Sequence, residues 1–197
     1  RWIRTQRETQ PDKPFFIYYA TGTAHAPNMA PADWLAKFKG QFDDGWDAAR
    51  HKTFQRQKDL GVIPSNAALT PLPSVLAPWS SLSPDQRRLA ARFMENYAAS
   101  LAFADAQIGR IIEELRASGQ IDNTMIIFIQ GDNGSTAEGG PNGLLFEQSQ
   151  INGLHEDLQY QVSRIDDIGG DKVYPVFPAA WGWAMNTPFQ YYKRVAS

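Results

Sequence analysis

Apolar positions along the chain fall into two periods, and their alternation predicts a layered α/β body. Lys13-Pro14-Phe15-Phe16-Ile17-Tyr18-Tyr19-Ala20 is a nearly continuous apolar and aromatic run ahead of Gly22, the pattern of a strand buried on both faces. Asn123-Thr124-Met125-Ile126-Ile127-Phe128-Ile129-Gln130 is a second such run. Between them, Ser83-Pro84-Asp85-Gln86 offers a hydroxyl at the N-cap, a proline at the first helical position and a Gln suited to a capping box. Leu89, Phe93, Tyr97, Leu101, Ile108, Ile111, Ile112 and Leu115 then keep to one helical face until Gly119. At 1.5 Å per residue this helix is roughly 50 Å long, with room for a bend near Gly109. Strand, long helix and strand make a βαβ unit that closes in a right-handed sense.

Shorter helical patterns cover residues 32–39 (Trp34, Leu35, Phe38) and 44–60 (Trp46, Phe54), the latter stopped by Gly61. Prolines break any pattern over residues 62–83, which read as an ordered surface excursion with little regular structure. From Ser135 to Arg194 the periodicity weakens, with a short helix suggested at 144–150.

Composition narrows the class. The chain has 197 residues, 43% hydrophobic, 19 basic against 21 acidic side chains, and no cysteine. That length suits one domain or a large piece of one. Lys and Arg are scattered at a net charge of −2, which argues against nucleic acid as a partner. No apolar run approaches the roughly 20 residues that span a bilayer, and Arg1-Trp2-Ile3-Arg4 does not read as a signal peptide. A soluble body is expected, of bacterial type, with cytoplasm or periplasm left open. Zero cysteines exclude disulfides, thiolate nucleophiles and Cys-ligated zinc within these residues. The start at Arg1 without Met and the end at Ser197 directly after a patterned stretch suggest an internal segment.

Ligands in α/β sheets collect at the C-terminal strand edges, and two candidate groups fall there. Asp132-Asn133 sets a carboxylate beside an amide oxygen, hard donors suited to Ca²⁺ or Mg²⁺; read alone, Asp-Asn-Gly after a strand is more often a plain turn. His25 lies in a loop of small residues, where an imidazole can exchange a proton near neutral pH or simply be solvated. Lys193 follows a run of aromatic residues and can meet an anionic oxygen or solvent. Trp181, Trp183, Phe189, Tyr191 and Tyr192 line a cleft or pack a core. His51 and His155 read as ordinary surface residues. The Gly-rich stretch Gly131–Gly143 carries neither a Walker nor a dinucleotide fingerprint, and no zinc-peptidase pair or hydrolase elbow is present.

Taken in order, six stretches resemble the type I sulfatases of the alkaline-phosphatase superfamily, particularly bacterial arylsulfatases. They are Lys13-Pro14-Phe15-Phe16-Ile17-Tyr18 with His25-Ala26-Pro27; Phe42-Asp43-Asp44-Gly45-Trp46-Asp47; residues 97–109; Asp122-Asn123-Thr124; Gly131-Asp132-Asn133-Gly134; and Met185-Asn186-Thr187-Pro188-Phe189 before Lys193. The resemblance implies an incomplete alkaline-phosphatase-like fold, a mixed, mostly parallel sheet flanked by helices, with residues 1–197 the central portion of a catalytic domain. It implies that Asp132 and Asn133 are two ligands of a divalent cation, usually Ca²⁺, that His25 donates a proton to the leaving alcohol, and that Lys193 binds an oxygen of a small-molecule sulfate ester. The family's nucleophile is a formylglycine made in a Cys/Ser-x-Pro-x-Arg motif, and these residues contain none. Asn28 also departs, standing where close relatives often have histidine. The expectation is a sulfatase parent and an inactive segment. A phosphodiesterase or phosphonate monoester hydrolase of the same superfamily, or a non-catalytic fragment, are the alternatives.

Overall fold

The computed structural model describes residues 1–129 and 134–193. Among these, the regular structure is helical: α1 (Trp2–Thr9), α2 (Ala32–Ala36), α3 (Gly45–Asp59), α4 (Pro84–Ala117), α5 (Glu147–Ile151), α6 (Leu158–Ser163) and α7 (Ala179–Met185). Single 3₁₀ turns lie at Trp79–Ser81, Ile121–Asn123 and Ile165–Asp167.

Helix α4 organises the rest. Its start is the expected capping box: Ser83 Oγ accepts from Gln86 N at 3.2 Å and Gln86 Oε1 accepts from Ser83 N at 2.9 Å, satisfying two donors that a helix end leaves open. It continues as one helix of 34 residues through Gly109. Burial is concentrated in its first half, where Leu89, Ala90, Phe93, Met94, Asn96 and Ala99 are covered, whereas Leu101 is exposed. Helix α2 and helix α6 pack on α4, and α3 packs on α7.

The core between α3, α4 and α7 is built on tryptophan. Trp46, Trp79 and Trp181 meet edge to face at 4.8, 5.7 and 6.0 Å between ring centroids, a geometry favoured by the ring quadrupole. Two of the buried indoles donate to a carbonyl: Trp181 Nε1 to Ala90 O at 2.9 Å and Trp46 Nε1 to Ala77 O at 3.1 Å. Residues 62–83 follow an irregular path, yet they insert Trp79 into this core. The aromatic cluster near the C-terminus divides accordingly: Trp181 and Trp183 are core residues on α7, while Phe189 is exposed.

The two apolar runs depart from expectation. Among the described residues neither is hydrogen-bonded into a sheet, Asn123 closes a 3₁₀ turn, Gln130 lies outside the described residues, and the runs are not buried on both faces. Phe16 is 86% exposed, Tyr18 83% and Ile129 82%. A strand is completed by a neighbour's backbone groups rather than by its own sequence, and no described segment supplies that neighbour. Among the described residues two isolated bridges occur, Leu144 with Val176 and Phe146 with Tyr174. The α/β class is therefore represented here by its helices, and the sheet is not formed by these residues.

Contacts with α4 flank the first run. Arg4 of α1, ahead of the run, donates to Glu114 near the C-terminal end of α4 at 2.6 and 3.1 Å. Past the run, Asn96 Nδ2 in the first half of α4 donates to Asn28 O at 2.7 Å. The second run follows α4 through Gly119 and the 3₁₀ turn at Ile121–Asn123, and Gly134 lies beside Asn186, just past α7.

Candidate functional site

His25 sits in a tight loop. Thr23 N donates to Thr21 Oγ1 at 2.9 Å, His25 N to Gly22 O at 3.2 Å, and Ala24 adopts φ +88°, a region that costs a residue with a Cβ. The His25 ring is exposed, with Nδ1 2.9 Å from Ala26 O. A carbonyl only accepts, so Nδ1 carries the hydrogen there, and Nε2 is left for outside chemistry. Tyr174 Oη donates to the same Ala26 O at 3.1 Å, and Ala30 N donates to Gly169 O. The loop is therefore held against α4 and the 169–174 segment.

Lys193 is placed by a second set of contacts. Its backbone N donates to Ser135 O at 2.8 Å, and Ser135 N donates to Asn186 Oδ1 at 2.8 Å. Gly134 lies flush against this strap at φ +97°; a Cβ there would stand 2.8 Å from Lys193 N and 2.9 Å from Asn186 Nδ2. The Lys193 ammonium is 3.2 Å from Glu138 Oε1. Glu138 Oε2 in turn accepts from Thr136 Oγ1 at 3.0 Å.

Asp132 and Asn133 lie outside the described residues. Lys193 packs against Gly134, the residue that follows them, across some sixty positions of sequence. Their donor chemistry, one carboxylate and one amide oxygen, fits a hard cation that takes six to eight oxygens as two of its ligands. Among the described residues no group of three or more His, Asp or Glu side chains is arranged to hold a metal. No hydrogen bond or ion pair joins His25 to Lys193 among the described residues; the 174–179 segment links their loops, since Tyr174 holds Ala26 O and Ala179 N donates to Gly140 O at 2.8 Å. His51 bonds its own helix at Asp47 O and His155 is exposed, as surface residues do.

Arg50 supports the strap from beneath. It is fully buried on α3 and donates to Trp183 O (2.9 Å), Thr187 Oγ1 (3.3 Å), Thr70 Oγ1 (2.8 Å), Pro188 O (3.3 Å) and Phe189 O (2.7 Å). Its guanidinium lies 4.3 Å from the Trp183 ring centroid. Burial lowers its pKa to about 10, which still leaves it charged at neutral pH. Sequence reasoning missed Arg50, Glu138 and Tyr174. Only Arg50 carried a local signal, since Trp46, Arg50 and Phe54 stand at helical spacing on the buried face of α3.

The chain belongs to the sulfatase family. The Sulfatase family model matches residues 1–162, which include His25 and end before Lys193. An arylsulfatase of Klebsiella aerogenes is 29% identical over 198 residues, covering 100% of this chain and 39% of the relative. An uncharacterized sulfatase of Schizosaccharomyces pombe, PB10D8.02c, is 29% identical over 88% of this chain and 30% of its own length. The uncharacterized sulfatase YdeN of Escherichia coli K12 is 27% identical over 65% of this chain and 14% of its own. The chain thus spans about two fifths or less of these relatives. No described helix is long and apolar enough to cross a membrane.

Proposed function

We propose that residues 1–197 are the central portion of a sulfatase catalytic domain, whose parent protein hydrolyses a small-molecule sulfate ester and to which this segment contributes part of the active site. The observation that carries the reading is the close approach of the Lys193 backbone to Gly134, the residue that follows Asp132 and Asn133 in the sequence. The two apolar runs are then parallel strands of the family's α/β sheet. Their bare backbones and exposed faces support this, because unpaired extended backbone with apolar side chains is stable only when a neighbour covers it.

In this reading Asp132 and Asn133 hold a divalent cation, Ca²⁺ by preference. Bound there, the cation supplies charge neutralisation at the sulfate oxygens. The formylglycine expected of the parent lies outside these residues. Lys193 binds a sulfate oxygen, an attraction that strengthens as negative charge develops. His25 serves as proton donor to the departing alcohol oxygen: Nδ1 is tied to Ala26 O, so an imidazolium proton at Nε2 is the one delivered.

The test compares turnover of a chromogenic aryl sulfate with that of a matched phosphate diester by the protein at its full natural length, and by residues 1–197 alone. The reading expects preference for the sulfate ester and no turnover by the segment. Preference for the phosphate ester, or turnover by the segment after metal and contaminant controls, contradicts it.

A further inference from the structure

We propose that Glu138 is the positioning residue for Lys193, a role that rests on the reading of Lys193 as a sulfate-binding group. Most ion pairs on protein surfaces are loose and contribute little. This one is built. Glu138 Oε2 is engaged by the Thr136 hydroxyl at 3.0 Å, and that hydroxyl also accepts from Glu138 N at 3.2 Å. The carboxylate therefore turns one defined oxygen, Oε1, toward the ammonium at 3.2 Å.

Both partners stand on anchored backbone. The Glu138 loop is fastened at one end by Ser135 N to Asn186 Oδ1 and at the other by Ala179 N to Gly140 O, each 2.8 Å. The Lys193 strap is fastened to the same loop through Lys193 N and Ser135 O. A lysine side chain is a flexible four-carbon stem ending in three rotatable donors. Fixed at both ends, it spends one donor on Glu138, and among the described residues no other partner takes the remaining two. The side chains are 22% exposed for Lys193 and 33% for Glu138, so an arriving anion can reach the ammonium without breaking the pair. Orientation secured before substrate arrives is the kind of contribution that separates a held group from a merely nearby one.

The experiment uses the full-length protein with a chromogenic aryl sulfate, and follows folding by thermal melting. Glu138→Ala is expected to lower kcat/KM about tenfold or more. Glu138→Gln, whose amide oxygen replaces Oε1, is expected to keep about a third or more of it. On a Lys193→Ala background, Glu138→Ala should change turnover less than about twofold, because its effect passes through the lysine. Nuclear magnetic relaxation of ¹³C-labelled lysine should show Lys193 Cε becoming more mobile in Glu138→Ala. If Glu138→Ala fails to fold, Thr136→Val decides, with a loss of about threefold expected and an unchanged rate overturning the role. Near-normal turnover by Lys193→Ala sinks the reading of the lysine itself. Impairment by Lys193→Ala with none by Glu138→Ala, equal losses from Glu138→Ala on both backgrounds, or Glu138→Gln as impaired as Glu138→Ala overturns the role of Glu138 alone.

Discussion

Replacing Arg50 by Met tests how the lysine strap is held. The guanidinium is fully buried, faces no carboxylate among the described residues, and serves three backbone carbonyls at Trp183, Pro188 and Phe189. Met keeps the apolar stem and removes every donor. Each carbonyl left unpaired costs about 2 kcal/mol, so about 6 kcal/mol is lost there. The contact with the Trp183 ring adds about 1 kcal/mol. Against this, relief from burying an unpaired cation returns several kcal/mol, about 4 in this setting. The net expectation is a destabilisation of about 3 kcal/mol, which at a urea slope of about 2 kcal/mol/M lowers the midpoint by about 1.5 M. Arg50→Lys keeps a charge but cannot span acceptors on both Trp183 and Phe189, and should cost about half as much. The two thresholds are read from equilibrium urea unfolding. A Met variant as stable as the parent, or more so, would show that the carbonyls have other partners and that the buried cation is a net burden.

Two further outcomes test the frame around the site. Gly182→Ala on α7 would put a Cβ 2.2 Å from Thr136 O; a backbone carbonyl cannot step aside cheaply, so stability should fall by roughly 1–3 kcal/mol, and an unchanged melting temperature would contradict the close packing of α7 on the Glu138 loop. The Arg4 hydrogen bond holds the Glu114 carboxyl below its ordinary range. A depressed carboxylate stabilises the fold fully above its ordinary pKa of about 4.3 and loses that contribution as pH falls through the folded value. Amide exchange in α1 should therefore accelerate, relative to the rest of the chain, on acidification below about pH 4, and Arg4→Ala should abolish the acid-sensitive step; exchange in α1 that tracks the rest of the chain at every pH contradicts it.

Legibility in the sequence followed how local each interaction is. Helix α4 was readable to within a residue or two because Ser83, Pro84, Gln86 and the apolar stripe all lie in one continuous stretch. The apolar runs at 13–20 and 123–130 read as buried strands, but what would pair with and cover them is not encoded in their own residues, and among the described residues neither the pairing nor the burial is found. Helix α7 escaped notice because Ala179, Ala180, Gly182 and Ala184 give no amphipathic pattern; at Gly182 the absence of a side chain lets the Thr136 backbone approach. Helix α1, which ties the first run to α4 through Arg4, was missed as well, since Ile3 is its only buried residue. Of the site, His25 and Lys193 were reachable through motif order, and Asp132 and Asn133 lie outside the described residues. Glu138 and Arg50 act on partners 55 and more than 130 positions away, a distance over which neither propensity nor periodicity carries information.

The most direct measurement of the central claim is the leaving-group dependence of His25→Ala. A series of aryl sulfates with leaving phenols of increasing pKa is presented to the full-length protein and to the variant. If His25 protonates the departing oxygen, its loss is slight for the most acidic phenol and grows steadily toward the least acidic, steepening the plot of log kcat/KM against phenol pKa. Parallel lines, with the same loss for every phenol, would contradict the assignment of the leaving-group acid to this loop.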